Sequence, residues 1–148
     1  MTGGATTASP GMDQLRCAAQ IPVADLDRAR GWYSRHLGLQ PMTESSGELH
    51  YRCGGGTFFT LYLSEWAGTS DQTVLAWLTP DLPALVRALN DRGVRFEEYD
   101  LPGLRTGPDG IGQVGPDRAA WFHDSDGNLL AVGSSGIGLL DQLELARD

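Results

Sequence analysis

The order of apolar and polar residues along the chain predicts one structural unit that occurs twice. Residues 17–23 form a short apolar run that predicts a strand, and Asp25 follows it as a candidate helix cap. In 26–37 the apolar residues recur every three and four positions, which predicts an amphipathic helix ending at Gly38. Three strand-like runs follow, separated by turns rich in glycine and serine: 40–44, 48–53 and 57–65. The first half of the chain is therefore predicted as βαβββ.

The second half repeats this order. Residues 73–79 predict a strand, Asp81 a helix cap, and the apolar stripe that begins at Leu82 a helix ending at Gly93. Three more strands are predicted, the last two joined by a turn at Asp126-Gly127: 94–100, 117–123 and 129–133. The Asp-Leu pairs that open the two helices lie 56 residues apart, which favours two copies of one unit.

These patterns divide the chain into four parts. Residues 1–14 are poor in apolar side chains and are expected to be a disordered leader. The first βαβββ module is predicted at 15–68 and the second at 69–135, followed by a short amphipathic helix within 136–148. The glycine- and proline-rich stretch 102–116 falls outside the repeat. Two interpretations stay open for it, a lid over a binding pocket and a solvated insertion.

Composition narrows the classes of partner. The chain has 148 residues, 41% of them apolar, which is typical of one globular domain. Its net charge is −8 and its basic residues are all arginines, so no lysine- and arginine-rich segment offers a surface for nucleic acid. No stretch approaches the roughly 20 apolar residues that cross a bilayer, and we expect a cytoplasmic protein without a membrane partner. The acidic balance favours a cationic ligand, although solubility alone also explains it.

Four features have simple structural interpretations. Cys17 and Cys53 lack metal-binding spacing and are expected to be buried thiols. Residues 110–115 spell G-x-G-x-x-G but neither follow a predicted strand nor open a helix, so the phosphate-binding interpretation fails. Residues 124–128 resemble the start of a calcium loop, but the glycine comes too early, and we predict a hairpin turn. His36 lies in a last helical turn, where a cation suits the helix dipole.

Two segments resemble the vicinal oxygen chelate superfamily, the glyoxalase/bleomycin resistance/dioxygenase group. Residues 21–29 (IPVADLDRA), with Trp32-Tyr33 and Leu37-Gly38, resemble its opening module. Residues 121–130 (WFHDSDGNLL) are similar to its closing F-x-D-P-D-G-N hairpin, with Ser125 in place of the proline. The resemblance covers residues 15–134. It implies an α+β fold in which two βαβββ modules form paired curved sheets around a cleft.

The enzymes of this superfamily hold a divalent metal ion in the cleft with four ligands, usually His, Glu or Gln. The resemblance places those four positions at Ala18, Tyr62, Val74 and Ala131. Alanine and valine carry no lone pair, and one phenol does not supply the three or four donors that such an ion requires. We therefore expect no metal ion and no cofactor. Metal-dependent glyoxalase or dioxygenase activity is disfavoured.

The same counting predicts the lining of the cleft, because residues two apart on a strand share a face. The predicted ligand-binding residues are Gln20, His50, Phe58, Thr60, Tyr62, Trp66, Trp121 and His123. Their aromatic faces suit a planar or cationic guest. Structural alternatives stay open for four of them: an outer sheet surface for His50, packing under a loop for Trp66, a core position for Trp121 and a purely structural place before the turn for His123.

Three functions follow from this reading. The leading prediction is a metal-free small-molecule-binding protein that sequesters an aromatic or cationic antibiotic or metabolite, similar to the bleomycin resistance proteins. The resemblance also implies a homodimer. The alternative is a metal-independent isomerase, cyclase or lyase of secondary metabolism, with His50, His123, Tyr62 or Glu97 as acid or base. A third reading, a regulatory protein without a ligand, predicts a filled cleft.

Overall fold

The computed structural model describes residues 11–134, which form two α-helices and two four-stranded sheets. The predicted C-terminal helix and residues 1–10 of the predicted leader lie outside the described residues. Met12–Gln14 forms a single 3₁₀ turn before the first strand. No helix within 11–134 is long and apolar enough to span a membrane.

The first module contains four strands and one helix in the predicted order: β1 (Ala18–Val23), α1 (Leu26–Leu37), β2 (Thr43–Ser45), β3 (Glu48–Arg52) and β4 (Phe58–Leu63). Its sheet has the order β1-β4-β3-β2, with β1 parallel to β4 and the other pairs antiparallel. The Asp25 carboxylate accepts from the Arg28 backbone N–H at 3.0 Å, and Gly38 ends the helix with φ +70°. Both predicted helix boundaries are confirmed.

The second module consists of β5 (Thr73–Leu78), α2 (Leu82–Asp91), β6 (Asp100–Leu101), β7 (Leu104–Arg105), β8 (Gly112–Val114), β9 (Asp117–His123) and β10 (Leu129–Ser134). Its main sheet has the order β5-β10-β9-β8, with β5 parallel to β10. The strand order therefore matches that of the first module, and the predicted repeat is confirmed. The strands β6 and β7 form a separate hairpin.

The prediction of a strand at 94–100 is wrong. Phe96 makes an isolated bridge to Phe122, and the Glu97 N–H donates to the Trp121 carbonyl at 2.7 Å. The chain then leaves the sheet, and Tyr99 pairs with Thr106. The Tyr99 N–H donates to the Thr106 hydroxyl at 2.8 Å, and the Thr106 N–H donates to the Tyr99 carbonyl at 2.9 Å. The local hairpin takes the backbone groups that a longer edge strand would use. The sheet edge is completed instead by Gly112–Val114, within the segment predicted as loop.

The second strand of the first module also begins later than predicted, at Thr43 rather than residue 40. The backbone N–H groups of Gly38 and Leu39 donate to carbonyls of α1, at 3.0 and 3.1 Å, and are not free to pair with a strand. Pro41 has no N–H to donate. The first backbone bond to β3 comes from Met42, whose N–H donates to the His50 carbonyl at 2.7 Å, so the sheet edge starts after Pro41.

The hydrophobic core lies between the sheets and the helices. Alternate strand residues point into it, and the largest fully buried side chains include Ile21, Leu49, Tyr51, Phe59, Leu61, Phe122 and Leu130. Two aromatic pairs join the modules: Trp77 meets Phe59 edge-on with ring centroids 5.9 Å apart, and Trp32 stacks on Phe122 at 6.3 Å. Trp77 is half-buried and packs against this core.

A polar connection between the modules is formed by the hairpin turn 124–128, here called the 124–128 turn. Its Asp124 is only 7% exposed, and Oδ1 accepts the backbone N–H groups of Asp126 and Asn128 at 2.8 and 3.0 Å. The second oxygen, Oδ2, accepts the Tyr33 hydroxyl at 2.7 Å and the Asn128 amide at 3.0 Å. Because Tyr33 belongs to α1, a carboxylate of the second module is satisfied by the first.

The same turn contacts the first module at four further residues. The Asn128 amide donates to the Pro22 carbonyl at 2.8 Å, and Asp126 accepts the Ala24 N–H at 2.9 Å and the Arg28 guanidinium at 2.5 Å. Gly68 approaches so closely that a Cβ there would lie 2.0 Å from the Asp126 carbonyl oxygen. The predicted hairpin is confirmed, and it also fixes the relative position of the modules.

Two buried tyrosines provide a matched test of this connection. Replacing Tyr33→Phe removes one of the donors to a buried carboxylate and should lower the free energy of unfolding by about 1.5–3 kcal/mol. The Tyr51 hydroxyl is buried and has no hydrogen-bond partner among the described residues, so Tyr51→Phe should change stability by less than about 0.5 kcal/mol. Denaturant unfolding measures both. Equal losses in the two variants would contradict the role of Tyr33.

The tyrosines also predict an alkaline dependence of stability. Burial raises the pKa of Tyr51 to about 12, whereas an unfolded tyrosine titrates near 10. The folded state therefore binds more protons above about pH 10, and the free energy of unfolding must fall as pH rises from there through about 12. We expect Tyr51→Phe to remove about 1–3 kcal/mol of that decline. A decline of the same size in the variant, measured by urea unfolding across this pH range, would exclude Tyr51 as its source.

Candidate functional site

Each sheet has one face on the helices and one face that points away from them, here called the open face. Strand alternation assigns side chains to it, since their sequence neighbours lie in the core. Seven of the eight predicted ligand-binding residues lie on the open faces: Gln20, His50, Phe58, Thr60, Tyr62, Trp121 and His123. The edge strands β1 and β5 contact each other, so the open faces of the two modules are neighbours.

In the first module the centre of the open face is a polar cluster around His50. Thr60 on β4 lies directly across from both Gln20 on β1 and His50 on β3. His50 Nδ1 is 3.0 Å from the Thr60 hydroxyl, and Nε2 is 3.2 Å from the Ser45 hydroxyl and 3.4 Å from a Glu48 carboxylate oxygen. Both imidazole nitrogens therefore have polar neighbours on the open face, and a role of His50 in binding stays a prediction.

One end of this face carries a different chemistry. Phe58 lies across from Arg52 on β3 and Ala18 on β1. The guanidinium carbons of Arg16 and Arg52 lie 6.0 and 5.9 Å from the centroid of the Phe58 ring. The ring is half-buried and both arginines are exposed. A partly accessible aromatic surface therefore lies between two positive charges.

In the second module the open face is aromatic with an acid–base pair at its end. Trp121 is half-buried and meets Tyr99 edge-on, with ring centroids 5.5 Å apart. His123 Nδ1 lies 3.3 Å from a Glu97 carboxylate oxygen. Burial, and then the charge of Glu97, raise the pKa of Tyr99 above its usual value. The segment before β6 therefore contributes both a ring and a carboxylate to this face.

Trp66 lies apart from the other seven predicted residues. It belongs to the turn after β4, and its side chain is 70% exposed. The turn is held by local bonds, since the Trp66 carbonyl accepts the Thr69 hydroxyl at 2.8 Å. A role of Trp66 in binding stays a prediction.

The insertion at 102–116 borders a separate depression of the surface. Its surface concavity, of about 880 Å³, is lined by the β6–β7 hairpin together with Gln113 and Gly115. None of the eight predicted ligand-binding residues lines it. An ion pair between Arg105 and Asp100 at 2.9 Å, both more than four-fifths exposed, is the main polar contact of the hairpin. Weak pairs of this kind do not build a specific site, and we assign no function to the depression.

The residues at the expected metal positions do not fit a metal ion. Ala18 and Ala131 carry methyl groups, and the register between β5 and β10 shifts at Val74, whose side chain packs against the core. Thr60 pairs with Gln20 in the first module, and Ala131 pairs with Ala76 in the second. Because Gln20 and Ala76 occupy equivalent positions in the repeat, Thr60 rather than Tyr62 is the counterpart of Ala131. Neither assignment supplies a donor set. Within residues 11–134, no three His, Cys, Asp or Glu side chains come together.

Several residues of the open faces were not predicted from the sequence: Arg16, Ser45, Glu48, Arg52 and Tyr99. Glu48 and Arg52 could have been found, because the hairpin through Gly54–Gly56 sets the register of β3 against β4 and repeats the alternation. No local signal marks Tyr99, which reaches Trp121 only through the fold of the insertion. The open face is consequently more charged than the sequence predicted.

Comparison with known proteins identifies the fold. No family model and no curated protein matches the chain. A glyoxalase/bleomycin resistance protein from Catenulispora acidiphila is 23% identical with a TM-score of 0.61, covering 82% of this chain and 99% of that one. A glyoxalase/bleomycin resistance protein/dioxygenase from Alicyclobacillus acidocaldarius is 19% identical with a TM-score of 0.59, covering 82% and 91%. TnmS3, an antibiotic binding protein from Streptomyces sp. CB03234, is 23% identical with a TM-score of 0.54, covering 82% and 97%.

The chain therefore shares the fold of these glyoxalase/bleomycin resistance proteins. The predicted α+β architecture of two βαβββ modules is confirmed. At these identities the likeness concerns the fold and not the activity.

The misfit at the metal positions predicts that divalent ions leave the protein unchanged. A ligand that binds only the folded state raises the unfolding temperature, and the rise grows with the logarithm of the free ligand concentration above Kd. We expect Zn²⁺, Ni²⁺ and Mn²⁺, each at about ten times the protein concentration, to give no rise in unfolding temperature, as judged by differential scanning calorimetry. A chelator-treated sample is the control. One tightly bound ion per chain would overturn the metal-free assignment.

Proposed function

We propose that this protein binds an aromatic small molecule on the open faces of its two sheets, without a metal ion or cofactor. The observation that carries the proposal is that small residues and aromatic rings stand where the resemblance places metal ligands. Methyl groups stand at Ala18 and Ala131, and the half-buried rings of Phe58 and Trp121 are their cross-strand neighbours. The half-buried ring of Tyr62 lies further along the same face. Flat aromatic faces next to small residues leave room for a planar guest.

The biological role proposed for this binding is sequestration of an antibiotic or an aromatic metabolite. Support comes from the shared fold with TnmS3, an antibiotic binding protein. Sequestration requires affinity and no chemistry, so the absence of a metal donor set among the described residues is compatible with it. We further propose a cytoplasmic homodimer. Light scattering coupled to size-exclusion chromatography tests the dimer.

One observation favours a second function, a metal-independent isomerase, cyclase or lyase. Thr60, His50 and Glu48 form a chain in which the carboxylate lies near one imidazole nitrogen and the hydroxyl near the other. Such a chain can orient a histidine and let it accept a proton. His123 with Glu97 offers a second pair of the same kind. Under this alternative a bound compound is converted rather than merely held.

Substitution of Trp121 tests the placement of the binding site. For any aromatic compound that binds the wild-type protein in a calorimetric screen, Trp121→Ala should weaken affinity about tenfold or more, because a ring contact is lost. Trp66→Ala removes an equally large ring from the exposed turn after β4, and a comparable loss of affinity in this variant would support the predicted role of Trp66. Unfolding temperatures of both variants confirm that they fold. Equal affinities in wild type and Trp121→Ala would place the site elsewhere.

The same screen separates the two functions. Mass spectrometry of the ligand after long incubation should recover it unchanged if the protein sequesters it. Conversion by the wild-type protein that His50→Gln abolishes, with ligand affinity preserved, would establish the enzyme instead.

A further inference from the structure

Two arginines converge on one aromatic ring at the end of the open face of the first module. Arg52 is the cross-strand partner of Phe58, and Arg16 approaches from the other side, two residues before Ala18. Both guanidinium groups lie about as far from the ring centroid as favourable cation–π contacts extend, at 5.9 and 6.0 Å. The ring thereby gathers two like charges that would otherwise repel each other.

Neither arginine is neutralised by the part of the chain that the structure describes. Ion pairs within residues 11–134 engage Arg28, Arg30 and Arg105, and no acidic side chain lies within 4.0 Å of Arg16 or Arg52. In a chain with 19 acidic and 11 basic residues, this pair is a local exception to the overall charge. Its field therefore attracts an anion where the whole molecule would repel one.

The surroundings leave this end accessible to a ligand. The turn that joins β3 to β4 is Gly54–Gly56, which carries no side chain to cover the ring. Ala18 on the neighbouring strand adds only a methyl group. Phe58 itself is half-buried, so part of its surface still faces solvent. An aromatic ligand can stack there while its substituents reach the guanidinium groups.

We infer that Arg16, Arg52 and Phe58 form the anion-binding end of the proposed site, and that its ligand is an aromatic molecule bearing a carboxylate or another acidic group. The guanidinium group donates in a planar fork that matches a carboxylate, and the ring supplies the apolar contact. This inference rests on the proposed function and reverses one expectation, because the net charge alone favours a cationic ligand.

The opposite end of β3 sets the orientation of that ligand. Glu48 and Arg52 lie on the same strand and the same face, four residues and therefore about 13 Å apart. His50 stands between them and is bonded to Thr60. A ligand lying along β3 would place its acidic group at Arg52 and a hydrogen-bond donor toward Glu48. The charge pattern therefore selects polarised aromatic compounds over uniformly charged ones.

Two probes with the same ring test the inference, 2-naphthoate as the anion and 2-naphthylmethylammonium as the cation. Calorimetry at low salt and neutral pH should show naphthoate binding about tenfold more tightly, with a preference that shrinks as salt screens the exposed charges. Arg16→Gln and Arg52→Gln should each weaken naphthoate about fivefold and leave the ammonium probe unchanged or tighter. Phe58→Leu should weaken both probes.

The control is Arg87→Gln, which changes the net charge equally but lies on α2 away from the open face. It should leave naphthoate affinity within about twofold. Arg52→Lys retains the charge without the fork and should give an intermediate loss, and the salt titration of wild type needs no variant at all.

The outcomes separate this inference from the proposed function. Tighter binding of the ammonium probe, or an equal loss in Arg87→Gln and Arg52→Gln, overturns the anion-binding end while aromatic binding stands. If neither probe binds and no compound of the aromatic screen responds to Trp121→Ala, both the inference and the proposed function fail.

Discussion

The buried carboxylate of Asp124 is the interaction on which the arrangement of the molecule depends. It accepts two backbone N–H groups of its own turn, an amide from Asn128 and the hydroxyl of Tyr33. A charge this far from water is tolerated only when its lone pairs are satisfied. Because one of those donors comes from α1, the Asp124 carboxylate has all four hydrogen bonds only when the two modules are in contact. Burial and the nearby carboxylate raise the pKa of Tyr33 well above its usual value, which keeps the phenol a donor.

Because this connection holds the modules together, the open faces of the sheets are not needed for that purpose. The core between sheets and helices holds nearly all of the large buried apolar side chains, and Trp77 against Phe59 continues it across the seam. The open faces can therefore carry polar, charged and partly exposed aromatic residues without loss of the fold. His50, Trp121 and the Arg16–Arg52 pair stand there on rigid strands, which hold a binding geometry better than loops do.

The chemistry of the open face follows from the residues that stand at the expected metal positions. Ala18, Val74 and Ala131 supply no donor, and a sheet framework built for converging side chains is left with rings and small residues at its centre. Charge is displaced to the ends of strands, with Arg52 at one end of β3 and Glu48 at the other. Affinity in such a site comes from stacking, and selectivity comes from the placement of a few charges.

The sequence by itself determined the repeat, both helices with their caps, six of the eight sheet strands closely, and most of the open-face residues, because period-2 and period-3.6 patterns are local properties of the chain. It did not determine the sheet edge at Gly112–Val114, since an edge strand is chosen by competition with the Tyr99–Thr106 pairing. Nor did it reveal that the 124–128 turn joins the modules, or that Arg16 and Arg52 share one ring. Those contacts link residues distant in sequence or on separate strands, and only the tertiary structure brings their side chains within reach of one another.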